Sequence, residues 1–227
     1  MQPHDRLVVA VDLSGREEIL RLVDTLQGSV GVFKIGLQAF IANGPAIVRD
    51  VVACGERVFL DLKIHDIPNT ARHAVAEAAF LGASIATVHT AGGEAMLRAC
   101  NHHTLLVLGV TVLTSLTETD LLRIGFGGTA VDNAVRLARL AQGSGLRGVV
   151  ASPLEIEPIR EACGKDFVIL TPGIRPKGSD ASDQQRVMTP GEAVRAGADY
   201  IVVGRPITNA ADPRSAAQRV VEEMSAI

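Results

Sequence analysis

Residues 59–70 read FLDLKIHDIPNT: large apolar side chains, then Asp61, Lys63 and Asp66 close together, then Pro68, Asn69 and Thr70. Charges placed where a buried strand ends are costly unless they are paired or carry chemistry. Side chains alternate faces along a strand, so Asp61 and Lys63 fall on one face and Leu62 on the other. Pro68, Asn69 and Thr70 then open a helix, since proline suits a first helical turn. The unit is a strand, a charged end and a helix.

The same unit recurs along the 227 residues. Strands are expected at LVVAVDL (7–13), GVFKIGL (31–37), RVFLDLKI (57–64), SIATVHT (84–90), LLVLGVTVL (105–113), GVVAS (148–152), FVILTPG (167–173) and YIVVGRP (200–206). Segments of helical periodicity lie between them, among them REEILRLVDTLQ, NTARHAVAEAAFLG, VDNAVRLARLAQ, SPLEIEPIREACG and the closing DPRSAAQRVVEEM. Strands that alternate with helices pair in parallel, and continuously apolar strands are buried on both faces. An α/β fold follows, a (β/α)8 TIM barrel forming a single domain over residues 1–227, with an open doubly wound sheet as the alternative.

Composition narrows the partners. The chain is 47% hydrophobic and 21% charged, with net charge -3 and dispersed basic residues, which gives no electrostatic footprint for nucleic acid or an anionic membrane. A small-molecule ligand is expected. Cys54, Cys100 and Cys163 lie far apart without a CxxC pair, so neither a disulfide framework nor a structural zinc site is expected. With no apolar run long enough to cross a bilayer and no signal-peptide pattern at the start, a soluble, cytoplasmic protein is expected.

In such barrels the active site lies at the C-terminal ends of the strands. Polar residues gather at those ends here: Asp12, Lys34, Asp61, Lys63, His89, Thr114 and Arg205. Lys34, on the strand beside Asp61 and Lys63, is expected to complete an array of two ammonium and two carboxylate groups. Asp66 lies past the strand, and spacing leaves its direction open between this pocket and a neighbouring subunit. The plain alternative is a buried Asp61–Lys63 ion pair with Asp66 capping the next helix. Lys34 weighs against it, because several converging charges cost more desolvation than packing returns.

The loops after the seventh and eighth strands form the common phosphate site of these barrels. TPGIRP brings Gly173 and Arg175 to the first loop, and VVGRP brings Gly204 and Arg205 to the second. Glycine lets backbone N–H groups approach a phosphate, and arginine offers a planar fork of donors. The long polar interval IRPKGSDASDQQRVM, 174–188, reads as a functional loop, of the kind that serves as a lid. His65 is expected to be peripheral. GFGGTAVDN (125–133) only superficially resembles a phosphate loop, and Cys100, His102 and His103 read as a helix end and loop.

DLKIHDIPNT, together with FKIG, LTS, TPGIRP, SDQQR and VVGRPI in this order, closely resembles the orotidine 5'-phosphate decarboxylase family, from LVVAVDL to VVGRPITNA. The resemblance implies a cofactor-free, metal-free homodimeric TIM barrel that converts orotidine 5'-monophosphate to UMP and carbon dioxide in de novo pyrimidine synthesis. It further implies Lys63 as proton donor to pyrimidine C6, Asp61 facing the substrate carboxylate, and Lys34 ordering the network and touching the ribose. Asp12 is the implied ribose ligand, Thr114 the pyrimidine ligand, and Arg175, Gln184, Gly204 and Arg205 the phosphate ligands. Asp66 and Thr70 are implied to reach the partner's site. Two other readings share part of the pattern. One is a magnesium-dependent decarboxylase of a phosphorylated sugar acid, of the 3-keto-L-gulonate 6-phosphate type, from which Lys34 and Gln184 distinguish this chain. The other is a noncatalytic nucleotide-binding barrel.

Overall fold

The computed structural model describes residues 2–176 and 188–226. Among these, eight parallel strands close into a barrel: β1 (Leu7–Ala10), β2 (Val32–Gly36), β3 (Val58–Ile64), β4 (Ile85–His89), β5 (Leu106–Val110), β6 (Gly148–Val150), β7 (Val168–Thr171) and β8 (Tyr200–Val203). The strands follow one another around the ring in sequence order, and β8 returns to β1 through the pairs Leu7 with Ile201, Val8 with Val202 and Val9 with Val203. The alternating pattern therefore does form the barrel rather than the open sheet.

The helices are α1 (Arg16–Leu26), α2 (Leu37–Asn43), α3 (Ala46–Ala53), α4 (Pro68–Phe80), α5 (Gly93–Ala99), α6 (Glu118–Arg123), α7 (Ala130–Gly143), α8 (Ile156–Cys163), α9 (Pro190–Ala196), α10 (Arg205–Thr208) and α11 (Pro213–Ser225). Their starts carry recognisable chemistry. Thr129 caps α7 by accepting from the Asp132 N–H at 3.1 Å, and the Asp132 carboxylate accepts the Thr129 N–H at 3.1 Å. The GFGGTAVDN segment is thus a helix entry built on a reciprocal capping pair. No helix among the described residues is long and apolar enough to cross a membrane.

Strand parity divides the core in two. Val8, Ala10, Val32, Phe59, Ile85, Leu108, Leu170, Tyr200 and Val202 form one buried cluster inside the barrel. Their neighbours in the strands, including Val9, Phe33, Leu60, Ala86 and Ile201, pack outward against the helices. Each large side chain fully withdrawn from water in these layers contributes about 1.5–3 kcal/mol. The same parity aims the charged residues. Above Phe59 on the inner face comes Asp61, and above Val32 comes Lys34.

One strand departs from regular pairing. β3 and β4 are in register at Leu60 with Ala86, and next at Ile64 with Val88. Asp61, Leu62 and Lys63 therefore lie opposite Thr87 alone. Lys63 takes up the excess with φ of 52°, the one positive value at a non-glycine among the described residues. Such left-handed backbone costs a side-chain-bearing residue about 1–2 kcal/mol, and this irregularity falls where the charges cluster.

Candidate active site

A cleft of about 470 Å³ opens at the C-terminal ends of the strands, within the usual range for a small-molecule site. Asp12, Lys34, Asp61, Lys63, Thr114, Gly173, Arg175, Gly204 and Arg205 all line it. These come from the ends of six strands, β1, β2, β3, β5, β7 and β8, so closure of the barrel is what assembles them. Thr114 lies in the turn after β5, half-buried and on the cleft, whereas Ser115 is exposed.

The charges form a continuous run. Lys34 Nζ stands 3.0 Å from Asp12 Oδ1 and 3.9 Å from Asp61 Oδ2, and Lys63 Nζ donates to Asp61 Oδ2 at 2.9 Å. Two ammonium and two carboxylate groups alternate, as expected. Within one chain, however, the second carboxylate is Asp12. The side chains of Lys34 and Asp61 are each 12% exposed, that of Lys63 31% and that of Asp12 55%. The field is therefore strongest at the Lys34–Asp61–Lys63 centre and screened by water at the Asp12 end.

Small residues make room for this run. A Cβ on Gly36 would come within 2.8 Å of Lys34 Nζ and 3.1 Å of Asp12 Oδ1, so the ion pair occupies the space a side chain would need. Sequence reasoning did not single out Gly36. The signal was its place two residues after Lys34 on the same face of β2.

Sequence reasoning also passed over Thr87. Its side chain is completely buried and donates its hydroxyl proton to Asp61 Oδ1 at 2.9 Å, while its oxygen accepts the Lys63 backbone N–H at 3.0 Å. The parity that turns His89 inward turns Thr87 inward too, and that was the available clue. His89, half-buried at the end of β4, has its ring centroid 5.5 Å from that of His65. Burial above all, and then the His65 and Lys63 charges, hold the His89 imidazole below its ordinary pKa, with Asp61 opposing them.

Asp66 and Thr70 stand apart from the array. Residues 65–70 are all exposed, and the Asp66 carboxylate accepts the neighbouring Ile67 N–H at 2.7 Å. Ile67, not Asp66, occupies the position before α4, so Asp66 is not the helix cap. In this run Ile67 is 67% exposed, an apolar side chain left largely open among the described residues.

Arg175 and Arg205, in the segments after β7 and β8, line the same cleft. Burial first, and the Arg205 cation second, lower the Arg175 pKa from its ordinary value. Two cations lining one cleft suit a multiply charged anion. Gly173 has φ of 80°, a backbone conformation that favours glycine, and it turns the chain from β7 toward Arg175. Just beyond, Ile174 pairs with Met188, and the Arg175 N–H donates to the Met188 carbonyl at 3.0 Å. The two ends of the expected 174–188 loop are therefore tied together beside the cleft. Gln184 and residues 177–187 lie outside the described residues.

Cys54, Cys100 and Cys163 are free thiols, and burial pushes Cys100 up to about 11. At that value the thiol is protonated and unreactive. His102 orders the turn before β5 by accepting the Leu105 N–H at 3.2 Å.

This arrangement has relatives. A family model described as orotidine 5'-phosphate decarboxylase / HUMPS family matches residues 5–220. An orotidine 5'-phosphate decarboxylase of Syntrophotalea carbinolica is 47% identical, with 100% of this chain and 97% of the relative covered. One of Moorella thermoacetica is also 47% identical, covering 100% of this chain and 95% of the relative. Among solved structures, the orotidine 5'-phosphate decarboxylase from Lactobacillus acidophilus superposes with a TM-score of 0.85 at 35% identity, covering 97% of this chain and 99% of the other. With its barrel, its charged mouth and full-length likeness to these proteins, the chain belongs to the orotidine 5'-phosphate decarboxylase / HUMPS family.

Proposed function

We propose that the protein decarboxylates orotidine 5'-monophosphate to UMP and carbon dioxide, serving pyrimidine synthesis. The observation that carries this is the Asp12–Lys34–Asp61–Lys63 run sharing one cleft with Arg175 and Arg205. The family model spans two kinds of enzyme, and the full-length relatives named as orotidine 5'-phosphate decarboxylases favour this one over a sugar-acid decarboxylase. An absorbance assay on purified protein tests it: orotidine 5'-monophosphate should be consumed with UMP and carbon dioxide formed in equal amounts. A protein that leaves this substrate untouched while decarboxylating a phosphorylated sugar acid would overturn the assignment.

In this reading the bond from pyrimidine C6 to its carboxylate breaks, carbon dioxide leaves, and the electron pair stays on C6. The ring delocalises that charge poorly, so a fixed cation must stabilise it. Lys63 supplies the cation and then transfers a proton to C6, and its neutral amine recovers a proton from solvent. Asp61 faces the substrate carboxylate and holds Lys63 on target through the 2.9 Å contact. Repulsion between the two carboxylates is a secondary contribution. Lys34 orders Asp61 and, with Asp12, binds the ribose. Thr114 hydrogen-bonds the pyrimidine, and Arg175, Gln184, Gly204 and Arg205 take the phosphate. The protein's own side chains suffice for this chemistry, with no cofactor or metal.

Phosphate binding far from C6 can be used to organise the reacting end. Arg205→Ala is therefore expected to lower kcat/KM for the nucleotide about 10–100-fold, the loss of a charge-assisted bond to an anion. Orotidine, which lacks the phosphate, should lose no more than about threefold. Equal losses on both would remove Arg205 from the phosphate site.

We further infer a cytoplasmic homodimer in which Asp66 and Thr70 complete the neighbour's site. Support comes from the exposed 65–70 run with its largely exposed Ile67, and from an Asp66 that meets no ammonium of its own chain within the described contacts. Mixing Lys63→Ala with Asp66→Asn protomers tests this. If the site is shared across a two-fold axis, each hybrid dimer regains one intact site, and activity should return to about a quarter of wild type after random exchange. No recovery in exchanged hybrids would place Asp66 outside the neighbour's site.

A further inference from the structure

We propose that Thr87 is a positioning residue for the reaction, its hydroxyl locking the bulged backbone of Lys63 to the carboxylate of Asp61. The inference deepens the decarboxylase reading and rests on it.

The register break between β3 and β4 leaves Asp61, Leu62 and Lys63 opposite Thr87 alone. With pairing interrupted, the Lys63 N–H donates to the Thr87 side-chain oxygen at 3.0 Å. A hydroxyl has one proton to give, and an N–H can only donate. The proton of Thr87 therefore goes to Asp61 Oδ1, at 2.9 Å. This fixes the plane of the carboxylate, which presents Oδ2 to Lys63 Nζ at 2.9 Å and to Lys34 Nζ at 3.9 Å. One buried hydroxyl thus closes a ring: Lys63 backbone, Thr87, Asp61, Lys63 ammonium.

Other buried threonines show what a purely structural hydroxyl does here. Thr90 donates to the Val110 carbonyl at 2.6 Å, and Thr111 to the Val150 carbonyl at 3.0 Å. Each ties two strands together without touching an ionised group in these bonds. Thr87 bonds the two residues whose relative position sets where the ammonium sits. It reaches the reacting atoms only through them.

Three variants test the idea: Thr87→Val, which keeps shape and removes the hydroxyl, Thr87→Ser, which keeps the hydroxyl and removes the methyl, and Thr87→Ala, which removes both. Loss of positioning should lower kcat of Thr87→Val about 10–100-fold, as small misplacements of reacting groups do, with KM within about twofold of wild type. Thr87→Ser should restore kcat to within about threefold of wild type, since positioning needs only the hydroxyl. Near-UV circular dichroism reports folding. If Thr87→Val is poorly folded, Thr87→Ser is compared with Thr87→Ala instead, and serine should be the faster. A Thr87→Val enzyme with wild-type kcat, a serine variant as slow as valine or alanine, or a loss confined to KM would overturn the proposal. Wild-type protein inactive on orotidine 5'-monophosphate would instead overturn the function on which it rests.

Discussion

Lys63→Ala should reduce turnover of orotidine 5'-monophosphate by about 10³–10⁴-fold, with the barrel intact. General acid catalysis is worth about 10²–10⁴, and a preorganised charge at the developing anion about 10²–10³. The two roles share one side chain, so their product is an upper bound. The fold should survive because the Lys63 side chain is already 31% exposed and lies at the rim of the cleft, above the apolar layer formed by Phe59 and its neighbours. Asp61 would keep Lys34 at 3.9 Å and the Thr87 hydroxyl at 2.9 Å. Steady-state turnover, circular dichroism and UMP binding together check this. A well-folded variant within about tenfold of wild-type turnover would mean that Lys63 is not the proton donor.

Asp61→Asn should cost about 10²–10³ in kcat, through loss of the charge that orders both lysines. Asparagine keeps the size of the side chain and removes the charge at the junction, leaving two ammonium groups facing each other. Because Lys34 is only 12% exposed, that repulsion is poorly screened, and folding stability should fall by about 2–4 kcal/mol, as when one member of a largely buried ion pair is removed. The variant also separates two accounts of catalysis. If repulsion of the substrate carboxylate dominated, orotidine 5'-monophosphate would bind tighter by the factor that kcat falls, while UMP, which lacks that carboxylate, would not. We expect most of the lost kcat to be uncompensated by binding. Full compensation would make ground-state repulsion the leading effect.

Much of this was legible in sequence because it depends on local pattern. Strand parity gives the inner position of Lys34 and Asp61, and the rule for barrel mouths gathers Asp12, Thr114, Arg175 and Arg205. What escaped depends on relations between strands. That Asp61, Leu62 and Lys63 share one partner is a property of the β3–β4 register, which neither strand encodes alone. Alternation gave the correct face for Lys63 although the strand is bulged there, since the positive φ turns the side chain back toward Asp61. Thr87 escaped because a threonine in an apolar strand suits packing equally well. Asp66 lies past the end of β3, where strand parity no longer sets the direction of a side chain.

The positive φ at Lys63 sets a conflict between durability and chemistry. Glycine would relax that backbone, so ordinary pressure for a sturdier protein favours a residue without any ammonium at all. Lysine at this position keeps an ammonium beside Asp61 at the expense of that relaxation. A search for heat-tolerant variants of this chain would therefore be drawn to glycine here, and would select against the ammonium while leaving the barrel standing.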